Sequence, residues 1–119
     1  MNQFTNAPAP SQEEFDALAD QIGTMPTIKT ATLNSSSPVV LSFSDTARLL
    51  LIIQAGHVDR SGMSSLVGTS GNCYHNDIQM GSNISVTTSS GKITVTSASS
   101  QNSVCILLIF VGANSITIS

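Results

Sequence analysis

Charge is what this chain has least of. Lys, Arg, Asp and Glu together make up 9% of 119 residues, where an ordinary soluble domain carries roughly 25%. The four cations are scattered (Lys29, Arg48, Arg60, Lys92), so the clustered Lys and Arg of a nucleic-acid-binding surface are missing. Aromatics are scarce as well, with no Trp and a single Tyr, Tyr74. That leaves no aromatic platform on which a sugar ring could stack. No apolar run approaches the ~20 residues of a membrane helix, so no membrane partner is expected. The first residues lack both the basic and the apolar segment of a secretory signal. The chain is therefore expected to be made in the cytoplasm and not exported by a secretory route. Its two cysteines, Cys73 and Cys105, then read as free thiols, Cys105 as a small buried hydrophobe. Asn34-Ser-Ser and Asn83-Ile-Ser match a glycosylation pattern that a chain kept inside the cell would not use.

Catalytic signatures are equally thin. There is no Gly-x-Ser-x-Gly elbow, and Ser90-Gly91-Lys92 lacks the upstream glycine of a phosphate loop. Outside the N-terminal segment only three carboxylates occur, Asp45, Asp59 and Asp77, and they are far apart in the chain. Cys73, His75 and Asp77 stand at i, i+2 and i+4, which puts them on one face of a strand, with His57 and Asp59 as a second such pair. Cys, His and carboxylate are zinc-ligand types, but this spacing is no known zinc signature. The simpler account is polar residues near a strand end. Neither an enzyme nor a metal or cofactor is expected.

What the chain does have is two short apolar runs: Leu49 to Ala55, and Val104 to Gly112. Both are apolar at consecutive positions, unlike the alternation of a strand with one wet face, and so read as strands covered on both sides. A domain of this size has one core. Its own second sheet can cover one side of each run; the other side needs a second copy. Leu49, Leu51, Ile53, Ile106, Leu108 and Phe110 are accordingly the expected oligomer contacts.

From Thr27 onward every segment reads as β, interrupted by Ser, Thr, Gly and Asn turns. Ile84 to Thr88 and Lys92 to Thr96 form the clearest hairpin; closure at Ser90-Gly91 sets Val86 opposite Val95 and Thr88 opposite Ile93. Eight or nine short strands, with no room for βαβ crossovers, predict an all-β, antiparallel two-sheet sandwich or jelly roll over residues 27–119.

Residues 1–26 differ. A polar arm ends in Ala-Pro-Ala-Pro, and then Ser11 with Glu14 three residues on forms a capping box. Glu13, Glu14 and Asp16 suit the positive end of a helix dipole. Phe15, Leu18, Ala19 and Ile22 fall on one helical face, while Gly23 and Pro26 end the helix. So short a helix is marginal alone, and its Phe15-Leu18-Ile22 stripe must dock, either on its own sandwich or on another subunit. The loop Gly56-His-Val-Asp-Arg-Ser-Gly62 is the most chemically varied. His57, Asp59 and Arg60 are the candidate ligand-binding residues, since loops on a rigid scaffold carry most binding sites. The plainer alternative is a solvated loop closed by an Asp59–Arg60 pair.

This order of parts, Pro10-Ser-Gln-Glu-Glu-Phe-Asp-Ala-Leu-Ala-Asp-Gln-Ile22 followed by a Ser/Thr/Gly/Asn-rich β domain, resembles small virion appendage proteins of tailed bacteriophages: fibre, baseplate-tip or head-decoration subunits. The likeness lies in layout and extends over the whole chain. It implies a homotrimeric sandwich anchored by its N-terminal segment to other virion proteins and facing a host-surface glycan or receptor. A trimeric jelly roll of the tumour-necrosis-factor shape is similar in its apolar central strands. The expectation is therefore a structural or adhesion subunit of a virion, the alternative a monomeric carbohydrate- or receptor-binding module.

Overall fold

The structure, a computed structural model, describes residues 26–119. The predicted helix with Phe15, Leu18 and Ile22 lies outside them. Nine strands follow one another: β1 (Thr27–Leu33), β2 (Val39–Phe43), β3 (Ala47–Gln54), β4 (Gly62–Gly68), β5 (Cys73–Met80), β6 (Ile84–Ser89), β7 (Lys92–Ser97), β8 (Ser103–Val111) and β9 (Ile116–Ile118). They form two antiparallel sheets. One has five strands in the order β1-β8-β3-β4-β5, the other four in the order β6-β7-β2-β9. The sandwich expected from the turn spacing is present. The chain changes sheet between β1 and β2, β2 and β3, β5 and β6, β7 and β8, and β8 and β9. Its early strands thereby pair with its late ones, β1 with β8 and β2 with β7.

The β6–β7 hairpin has the predicted register, Val86 on Val95 and Thr88 on Ile93. Its turn depends on Gly91, whose φ of 71° lies in the left-handed region that side chains with a Cβ avoid. Gly91 also closes the turn onto β2, its carbonyl accepting from Phe43 N–H at 2.8 Å.

The core lies between the sheets and is built by alternation. Val39, Leu41 and Phe43 of β2 and Ile93 and Val95 of β7 face Leu49, Leu51 and Ile53 of β3 and Cys105, Leu107 and Ile109 of β8, all buried. The two apolar runs are thus half-covered strands whose solvent side is also apolar. The burial of β3 alternates along its length, with Leu49, Leu51 and Ile53 inward and Leu50 and Ile52 half-buried outward. This corrects the expected contact set: Leu49, Leu51 and Ile53 are taken up by the intramolecular core and are not free for a partner. Ile106, Leu108 and Phe110 do lie on the outward side of β8.

Candidate functional site

Two surfaces carry chemistry: a cluster of loops at one end of the sandwich and the outer face of the five-stranded sheet.

The loop cluster begins at the β3–β4 connection, where Val58–Arg60 forms a single 3₁₀ turn. Hydrogen bonds hold this turn from every side. Arg60 N–H donates to His57 O at 3.1 Å and Ser61 N–H to Val58 O at 3.2 Å. Ser61 Oγ donates to His57 O at 2.9 Å and accepts from Ala55 N–H at 3.2 Å. From across the molecule, Asn83 N–H donates to Asp59 O at 3.0 Å and Ser103 Oγ to Arg60 O at 3.0 Å. Gly81 lies so close under Val58 and Asp59 that a Cβ there would collide with their carbonyls. The loop is thus a fixed shape.

His57, Asp59 and Arg60 come together as expected, but not as an Asp–Arg pair. His57 Nδ1 accepts from Asp59 N–H at 3.2 Å and lies 3.4 Å from Asp59 Oδ2. One nitrogen cannot accept from the first and donate to the second at once. As the acceptor, Nδ1 caps the backbone N–H of the turn. Arg60 Nη1 instead donates to Gln101 Oε1 at 3.0 Å, and its Nε is buried without an acceptor. Among the described residues the guanidinium has no carboxylate partner, since both ion pairs there are His–Asp. Asn83, Ser99 and Gln101 complete the wall of this cleft. Sequence reasoning missed these three. They come from the β5–β6 and β7–β8 connections, and no spacing in the chain announces that the fold sets those turns beside the β3–β4 loop.

The strand Cys73-Tyr-His-Asn-Asp77 resolves differently. His75 Nδ1 lies 3.0 Å from Asp77 Oδ1, and Ser64 Oγ donates to that same oxygen at 2.8 Å. Cys73 is not part of this contact; its thiol points to Thr69 O at 3.8 Å. Among the described residues no group of three His, Cys, Asp or Glu side chains is placed to hold a metal ion. Ser, Asp and His do meet, but in the wrong order for catalysis. The buried Ser64 sends its proton to the carboxylate, whereas a nucleophilic serine needs the imidazole between itself and the acid. Cys105 is sealed in the core, where burial raises its thiol to about 11.

The outer face of the five-stranded sheet is apolar across several strands. One cross-strand row runs Ile28–Leu108–Leu50–Ser65, and the next runs Thr30–Ile106–Ile52–Met63. In β8 an extra residue opposite the Arg48–Leu49 step leaves Phe110 and Val111 both exposed, at 52% and 54%, as a bulge does. Val104 at 46%, Ile28 at 64% and Tyr74 at 66% extend the exposed apolar surface. Arg48 is the one charged residue among the outward positions of β3 and β8.

No protein-family model, no curated protein and no solved structure matches the chain.

Proposed function

We propose that this protein is a non-enzymatic structural subunit that assembles with copies of itself through the outer face of its five-stranded sheet. One observation carries the reading: Leu50 and Ile52 of β3 and Val104, Ile106, Leu108 and Phe110 of β8 all point outward, and each is at least partly exposed among the described residues. Monomeric proteins rarely expose contiguous apolar patches beyond a few hundred Å². Stable interfaces bury ~1,200–2,000 Å² in total and obligate ones more, which a partner laid across this face would have to supply. In this reading, which follows the layout likeness noted above, the assembly is a homotrimeric virion appendage and residues 1–26 are its anchor to other virion proteins.

The test is the mass of the full-length protein by light scattering at micromolar concentration, beside Ile106→Asp and Phe110→Asp. The expected wild-type mass is a multiple of 12.4 kDa, and the variants should be monomers with unchanged far-UV circular dichroism. A monomeric wild type would sink the proposal. If deleting residues 1–25 then caused a monomer to aggregate, the cover of this face would be the chain's own N-terminal segment.

A further inference from the structure

We infer that the groove between the strand edges β1 and β9 is the seat of the chain's own N-terminal segment, with the Phe15-Leu18-Ile22 stripe laid into it and an acid beside the stripe meeting Lys29. β1 ends the five-stranded sheet and β9 ends the four-stranded one. Each therefore turns main-chain N–H and C=O groups outward with no strand among the described residues to pair them. Proteins commonly cover such edges with a helix or a loop. The two edges border one open groove of about 810 Å³. At its base Val39 and Ile116 are buried, while Ala31 and Ile118 pack against the core and stay partly exposed. Threonines and serines of the two strands line much of the rest.

Reach and charge choose the occupant. The segment joins the sandwich at Thr27, the first residue of β1. Residues 23–26 span at most ~14 Å, which keeps a helix over residues 11–22 beside the groove of its own molecule. Such a helix is ~18 Å long, against ~23 Å for the seven residues of β1, so the groove can hold its whole length. Lys29 lies half-buried on the inward side of β1, with Ala31 and Leu33. Among the described residues it has no carboxylate partner, since both ion pairs there are His–Asp. The segment carries four acids, Glu13, Glu14, Asp16 and Asp20, with no Lys or Arg among them. Glu14 and Asp16 flank Phe15 and project ~100° to either side of it on a helix. With Phe15 seated in the groove, one of the two faces β1 and Lys29 and the other faces β9. Arg48, on the outer sheet face, is exposed and satisfied by water, so it calls for no acid. This seat uses up the stripe and narrows the anchor proposed above to residues 1–10. The sheet face proposed for self-association is left untouched by it.

The experiment is zero-length carbodiimide cross-linking of the full-length protein, with isotope-labelled and unlabelled chains refolded together and the joined peptides read by mass spectrometry. Lys29 and Lys92 are the only lysines. The expected result is Lys29 linked to Glu14 or Asp16 within single chains, and Lys92 linked to neither. Leu18→Asp should abolish that link and move the backbone amide NMR signals of residues 29–32, 37–39 and 116–119, with the light-scattering mass unchanged. The inference is overturned if Lys29 joins those acids only between chains, which would make the occupant a neighbour's segment. It is overturned equally if Lys29 joins neither acid, if Lys92 joins them as readily, or if the link survives Leu18→Asp. Movement of the Leu50, Ile106 and Leu108 amides in that variant, in place of the groove's, would put the stripe on the outer sheet face and also overturn it. A monomeric wild type with the Lys29 link intact would sink the self-association and support the seat proposed here.

Discussion

At the scale of single residues, the side chain's direction decides everything on the two apolar strands. Leu51 and Leu107 are fully buried, and truncating either to Ala should cost about 2–5 kcal/mol in chemical denaturation. Leu51→Asp should abolish folding. Ile106→Asp and Phe110→Asp, on the outward side, should leave the fold intact and remove only self-association. Comparing the Leu51 and Phe110 variants by circular dichroism and light scattering separates core from contact. Cys105 provides a pH test. Its thiol is raised from 9.0 to about 11 by burial, so below pH 9 folded and unfolded chains both hold the proton and its contribution is constant. Above pH 9 the unfolded chain ionises first, and stability falls until the folded thiol also ionises near pH 11. The loss amounts to up to about 2–3 kcal/mol at 1.36 kcal/mol per unit. Wild type should therefore lose more stability than Cys105→Ala between pH 8 and 11 in denaturant titrations. Equal losses would show that the thiol is not sealed. Cys105 was legible as a buried residue from its place in the run. The parity of Leu49 to Ile53 was not, because both alternating sets are apolar and the inward one is chosen by the strands opposite.

Elements behave as their local chemistry dictates. The β6–β7 hairpin was readable residue by residue, since a two-residue Ser90-Gly91 turn permits only one register. Gly91→Ala should destabilise by about 1–2 kcal/mol, because φ is 71° and the added Cβ would stand 2.8 Å from Ser70 O. An unchanged thermal midpoint would contradict that. The loop Gly56 to Gly62 was recognisable as chemically rich, yet its hydrogen bonding was not foreseeable. Asp59 meets His57, and Arg60 meets Gln101 forty-one positions on. Likewise β5 alternates in a way that brings His75 to Asp77 but leaves Cys73 on Thr69. A shared strand face is a matter of spacing; contact depends also on bulges such as the one between Met63 and Ser64.

For the molecule as a whole, low charge becomes a statement about assembly. Beyond residue 26 the four cations and three acids leave a net +1, and Arg48 is the one charged residue among the outward positions of β3 and β8. Self-association through that face should be nearly indifferent to salt between 50 mM and 1 M, since screening acts on charge pairs and not on apolar burial. Light scattering across that range checks it, and dissociation on adding salt would mean that another, charged surface holds the subunits together. The alternation of strands between two sheets also explains why the polar cleft and the apolar face are distinct: one is made by loops at strand ends, the other by side chains along the strands.

By itself the sequence determined that the chain is β-built from Thr27 onward, that β3 and β8 are its apolar spine, and where the hairpin turns. Those are local properties, set by side-chain periodicity and by glycine at the turn. The tertiary structure alone decided which half of the spine faces the core, and that Asn83, Ser99 and Gln101 join Arg60. Both depend on which strands lie across the sandwich and which loops meet at its end. Such pairings form between residues far apart in the chain, and no local pattern encodes them.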